Sequence, residues 1–199
     1  MAEPLADQIM QRIGQAAELY HRLVMLVAPT GSGKTAALQD VHKRTAAPLI
    51  NVSLELSRRM LDLTERQRSL QLPRLFSEME NLAQAELVLL DNLEILFDVL
   101  LRQDPLRLLQ GLSRNRTIVA AWTGSVDAHH LIYAAPGHPE YRRYGNAETS
   151  GILMVYYQRS QTAFSLNSLP KRGRAGVGEM PSCQPIALPP GGGVNDYRG

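Results

Sequence analysis

Cysteine is nearly missing from this chain: Cys183 is the only one in 199 residues. That excludes an internal disulfide and any metal site built from cysteine alone. No segment approaches the ~20 apolar residues needed to span a bilayer. The opening MAEPLADQ has neither the basic start nor the apolar stretch of a signal peptide, so a soluble, cytoplasmic protein is expected. Charge of one sign is also scarce, with a net charge of +2 overall. Residues 1–157 carry 16 Lys/Arg against 17 Asp/Glu, which does not advertise a broad nucleic-acid surface. The basic excess sits in residues 158–199, 5 against 2. There are no internal repeats. What is present is 44% hydrophobic residues, enough for one core at this length.

The most informative stretch is RLVMLVAPTGSGKTAALQDVHKRT, residues 22–45. An apolar run, Leu23 to Ala28, breaks into a glycine-rich turn that opens into a helix reaching about Thr45, with Leu38 and Val41 inward. Ala28, Pro29, Thr30, Gly31, Ser32, Gly33, Lys34, Thr35 and Ala36 read as a P-loop, with Ala28 where the usual pattern starts on glycine. Gly31 and Gly33 lack Cβ atoms, so backbone N–H groups can wrap around phosphate oxygens. The helix N-terminus adds roughly half a positive charge. Lys34 can then reach the β/γ-phosphates of ATP, and the Thr35 hydroxyl can ligate Mg²⁺.

Along the rest of the chain, Leu5, Ile9, Ile13, Ala16 and Tyr20 make the apolar stripe of a leading helix over residues 4–21. LINVS forms a second strand after Pro48, followed by a helical pattern. Thr64 to Gln67 has capping-box spacing, and Pro73 fits the first turn of another helix. The run of Arg58, Arg59, Arg66, Arg68 and Arg74 reads first as a solvated face, with a phosphate or partner contact as the alternative. LVLLD, residues 87–91, is a buried strand. NLEILFDVLLRQ then has helical spacing, and Asp104-Pro105 caps a short helix through Ser113. RTIVAAW, residues 116–122, is a fourth strand. LIYA, residues 131–134, follows too soon for a parallel crossover and should return antiparallel as a hairpin. ILMVYY, residues 152–157, is the last strand. From 158 onward, 12 of the final 42 residues are Gly or Pro, so that segment reads as a disordered tail.

A P-loop needs a carboxylate for the magnesium shell. Asp91, 57 residues after Lys34 at the end of LVLLD, fits the Walker B pattern. If LINVS lies at the sheet edge, RTIVAAW can insert between the P-loop and Walker B strands, as in AAA+ and RecA-like ATPases. Thr123, ending the fourth strand, then stands where such enzymes carry a polar γ-phosphate sensor; a turn-capping role is the alternative. The water-activating residue has two candidates, Glu94 and Glu55, and either can also be a solvated helix-start acid.

The segments LVAPTGSGKT, INVSLELSRRML, LVLLDNLEILF, LRLLQGLSRNRTIVAAWTG and LIYAAPGHPEY together resemble the small P-loop protein of type 3 bacteriophage exclusion (BREX) systems, over about residues 1–157. The resemblance implies an ATPase component of a bacterial antiphage system, working with other subunits of that defence system. This chain departs from the family pattern at Thr123, where members carry Asn. The expected architecture is an α/β P-loop NTPase domain over residues 1–157: a mainly parallel sheet flanked by helices, with a β-hairpin return and no lid domain. Arg142 and Arg143, after the P-G-H-P-E-Y segment, read first as partners in surface salt bridges. The alternative is that they are delivered to the site of an adjacent copy in a homo-oligomer, where an arginine in trans, from a copy or a system partner, would complete the site. DNA contact would be indirect, and no membrane contact is expected. Alternatives are a helicase-loader or transposition-helper type of DNA-linked ATPase, a nucleotide-dependent scaffold with little turnover, and a small-molecule kinase.

Overall fold

Strand β1, Leu23–Ala28, is apolar at every position because both of its faces are covered. Leu23, Met25 and Val27 enter one hydrophobic cluster, while Val24 and Leu26 enter another on the opposite face. The chain is seen here in a computed structural model that describes residues 3–81, 85–127 and 130–156. The expected tail, residues 158–199, lies outside the described residues.

Helix α1, Leu5–Ala16, precedes β1, and α2, Lys34–Thr45, follows it. Both pack on the Val24/Leu26 face, with Ile9, Leu38 and Val41 fully buried. Tyr20, placed on the inward stripe by its spacing, lies beyond α1 and is exposed. It packs instead edge-on to His21 and beneath the Arg114 guanidinium. Strand β2, Leu49–Asn51, runs directly into α3, Val52–Arg59, whose N-terminus is capped by the Asn51 side chain.

Helix α4, Glu65–Asn81, is one continuous helix with Pro73 inside it, rather than two helices with Pro73 in a first turn. Proline removes the N–H that would serve the carbonyl four residues earlier. That carbonyl, on Ser69, accepts a bond from Gln103 Nε2 at 2.8 Å, so the helix runs through. The Thr64–Gln67 capping box at its start is present.

Strand β3, Leu87–Asp91, leads into two short 3-10 turns, Glu94–Phe97 and Val99–Leu101, where the spacing suggested one α-helix. Left-handed backbone at Asn92 and Arg102 bounds the segment, and Asp98 interrupts it by capping the second turn. Helix α5, Pro105–Leu112, starts on its Asp104 cap as expected, and β4 spans Thr117–Thr123.

Strands β5, Ser125–Asp127, β6, His130–Tyr133, and β7, Arg142–Tyr144, form a separate antiparallel sheet in that order. The return is therefore antiparallel, but it pairs with β5 rather than with β4. After the short helix α6, Asn146–Thr149, strand β8, Leu153–Tyr156, pairs parallel to β1. The main sheet has the order β2-β3-β4-β1-β8, and every pairing in it is parallel. Strand β4 thus sits between β1 and β3, which brings the C-terminal ends of all three together. No helix among the described residues is long and apolar enough to cross a membrane.

Candidate functional site

The glycine-rich loop leaves β1 at the buried Ala28 and enters α2 at Lys34. Gly31 (φ 76°) and Gly33 (φ 87°) take left-handed conformations that a side chain would strain. Gly33 is the N-cap of α2 and supplies no side-chain bond to the first-turn N–H groups. Within the loop the Ser32 hydroxyl is buried without a hydrogen-bond partner. An orphaned donor beside an uncapped helix start suits an anionic ligand.

Lys34 folds back on its own loop, with Nζ donating to the Ala28 carbonyl at 3.1 Å and the Pro29 carbonyl at 2.9 Å. Burial lowers its pKa from the ordinary lysine value, and the carboxylates of Glu94 and Asp91 partly oppose that shift. Residues predicted from distant parts of the sequence therefore share one electrostatic neighbourhood. Thr35 and Ala36 are exposed on the first turn of α2.

Asp91 ends β3 and is only 5% exposed. Its Oδ1 accepts the Asn92 N–H at 3.0 Å, and in the sheet it pairs with Asn51 of β2. The next turn is pinned by Ser53, which belongs to no motif visible in the sequence. Its N–H and hydroxyl both donate to the Asn92 carbonyl, at 3.0 and 2.6 Å, and its oxygen accepts the Ile95 N–H at 3.4 Å. The sequence places Ser53 at the end of the strand LINVS, whereas in the structure that strand stops at Asn51 and Ser53 lies in the first turn of α3.

Glu94 and Thr123, 29 residues apart, are joined directly: the Thr123 hydroxyl donates to Glu94 Oε1 at 2.7 Å. Glu55 is not part of this group. Its carboxylate accepts two bonds from Arg59 on its own helix, at 2.9 and 2.8 Å. It faces a cavity of about 340 Å³ beside the edge strand, lined also by Ile50, Asn51 and Leu54. The site also touches the small sheet. Tyr133 of β6 has its phenol pushed up to about 12 by burial, with Glu140 and Glu94 adding to the shift. That sets Glu140, from the P-G-H-P-E-Y segment, in the electrostatic neighbourhood of a tyrosine that Glu94 also reaches.

Among the described residues no cluster of three or more His, Cys, Asp or Glu could cage a metal. Thr35 and Asp91 are the kind of sparse oxygen donor set that Mg²⁺ accepts when phosphate oxygens complete its shell. No family model, no curated protein and no solved structure matches the chain.

Proposed function

We propose that this protein is a P-loop ATPase that binds ATP and Mg²⁺ and works in bacterial antiphage (BREX-type) defence through partner subunits. The observation that carries the ATPase part is the convergence of Lys34, Asp91, Glu94 and Thr123 around a glycine-rich β1–α2 loop. The defence role rests on the sequence resemblance alone.

On this reading the loop N–H groups and the α2 N-terminus hold the phosphates, displacing the Ala28 and Pro29 carbonyls as partners of Lys34. Thr35 and Asp91 would hold Mg²⁺, which when bound neutralises charge on the phosphates. Glu94 is favoured over Glu55 as the group that orients and deprotonates water, because Glu55 is engaged by Arg59 while Glu94 lies near Lys34. Catalysis by such a site is chiefly positioning and electrostatics.

Titration with a fluorescent ATP analogue tests the assignment. Wild type should bind, and Lys34→Ala should lose about 10²-fold in affinity, as expected for a charge-assisted contact of up to ~3 kcal/mol. The variant should keep its fold, since the hydrogen bonds of Lys34 run to the carbonyls of Ala28 and Pro29 and its side chain takes no part in the hydrophobic clusters. Equal affinity in the two proteins rejects the P-loop assignment.

A further inference from the structure

The end of β4 is tied both to β6 and to the glycine-rich loop. Trp122 Nε1 donates to the Ile132 carbonyl of β6 at 3.2 Å. Two residues on, Gly124 approaches the same carbonyl so closely that a Cβ there would lie 2.0 Å from the oxygen. The Gly124 N–H also donates to the Ala28 carbonyl at 3.1 Å, the same oxygen that accepts Lys34 Nζ. Thr123 is therefore clamped on both sides, and its backbone cannot follow a ligand far.

Glu94 is held from the other direction. Its turn is fixed by Ser53 through the Asn92 carbonyl, and by buried Leu96 and Phe97. Phe97 stacks on Tyr133 with centroids 3.4 Å apart and meets Trp122 edge-on at 4.9 Å. Beyond that anchored backbone the Glu94 side chain is exposed and has several free torsions. The Thr123 hydroxyl is the bond that fixes where its carboxylate points.

We propose that Thr123 is a positioning residue that acts through Glu94, rather than a direct sensor of the γ-phosphate. This rests on the ATPase reading above. With Oε1 held by Thr123, the carboxylate is oriented to take a proton from the attacking water. The water oxygen bonds to the γ-phosphorus, the bond from that phosphorus to the β–γ bridging oxygen breaks, and its electron pair leaves with ADP. The products are ADP, phosphate and the proton taken up by Glu94.

A double-mutant cycle on the full chain decides the matter, with single-turnover hydrolysis of Mg-ATP and nucleotide affinity measured separately. Glu94→Gln should slow hydrolysis by roughly 10²–10⁴-fold, the range for general acid–base help. Thr123→Val should slow it by roughly 10–10²-fold, the cost of misplacing a reacting group, with affinity unchanged. Thr123→Ser, which keeps the hydroxyl, should restore most of the rate. In the Glu94→Gln background, Thr123→Val should add little. Multiplicative losses in the double variant overturn the proposal in favour of an independent contact with phosphate. A Thr123→Val variant as fast as wild type, or faster, overturns it as well. Wild type that binds nucleotide without turnover even at protein concentrations high enough to bring adjacent copies together rejects the roles of both Glu94 and Thr123 but leaves the binding assignment standing. Wild type that does not bind rejects both readings.

Discussion

Three glycine-to-alanine substitutions should give opposite signs. At Gly124 the new methyl would sit 2.0 Å from the Ile132 carbonyl oxygen and 3.1 Å from Trp122 Nε1. The carbonyl is backbone of the central strand of the small sheet, so β4 and β6 must separate. Overpacking of this kind costs about 1–3 kcal/mol. Separation also breaks the Trp122–Ile132 bond, worth about 0.5–1.5 kcal/mol. Together these predict a loss of roughly 1.5–4.5 kcal/mol, or about 3–18 °C in melting temperature for a chain of this size. Gly14, in α1, and Gly111, in α5, have nothing within 4 Å of an added Cβ. There alanine relieves the entropic penalty of glycine in a helix, and each variant should gain about 0.5–1 kcal/mol. Urea unfolding of the three variants beside wild type measures all of this at once. Gly124→Ala within about 0.5 kcal/mol of wild type, the smallest value for the hydrogen bond alone, would refute the clamp at the end of β4.

Two other perturbations follow from the site and its surroundings. Asp91→Asn should remove most of the gain in ATP affinity that Mg²⁺ gives wild type, by about 10–100-fold as for other residues that support a metal shell; calorimetric titration with and without Mg²⁺ reads it, and an identical Mg²⁺ response would take Asp91 out of the metal's surroundings. Burial raises the Tyr133 and Tyr144 phenols above their ordinary value, to about 12 for Tyr133. Their folded pKa exceeds the unfolded one, so the stability tied to the neutral phenols is complete below about pH 10 and is lost as pH rises toward the folded values. Urea midpoints of wild type should fall between pH 9 and 11.5, and Tyr133→Phe should fall less steeply; parallel pH curves would contradict this assignment of the alkaline loss.

The order of β1 to β4 in the main sheet could be anticipated because each is a short apolar run and the glycine loop marks the start, whereas the place of β8 beside β1 has no signal in the sequence. The insertion of β4 between β1 and β3 follows the sequence expectation for an edge-lying second strand. Residues 92–103 misled because buried Leu93, Leu96 and Phe97 fit a three-residue period as well as a 3.6-residue one. The strained Asn92 that shortens the element leaves no mark in hydrophobic spacing. Pro73 read as a helix start because its missing bond is invisible without Gln103, thirty residues away, which satisfies the freed carbonyl. Strand β7 escaped notice because Arg142-Arg143-Tyr144 carries no apolar alternation and exists through its pairing with β6. In the site, the sequence puts forward both Glu94 and Glu55 for water activation, with Glu94, close after Asp91, ahead. What separates them is which neighbour each meets, Arg59 on the same helix or Thr123 across the sheet.

Trp122 is the only tryptophan in the chain and is fully buried, one residue from Thr123. Its indole lies in contact range of Phe97, Tyr133 and Tyr144, and its N–H is committed to Ile132. Emission excited at the red edge of protein absorbance therefore comes from a single place, where the main sheet, the turn carrying Glu94 and the small sheet converge. The protein carries its own optical gauge of that junction. A ligand that tightens or loosens the corner changes the colour and yield of one fluorophore, with no label attached and no background from a second.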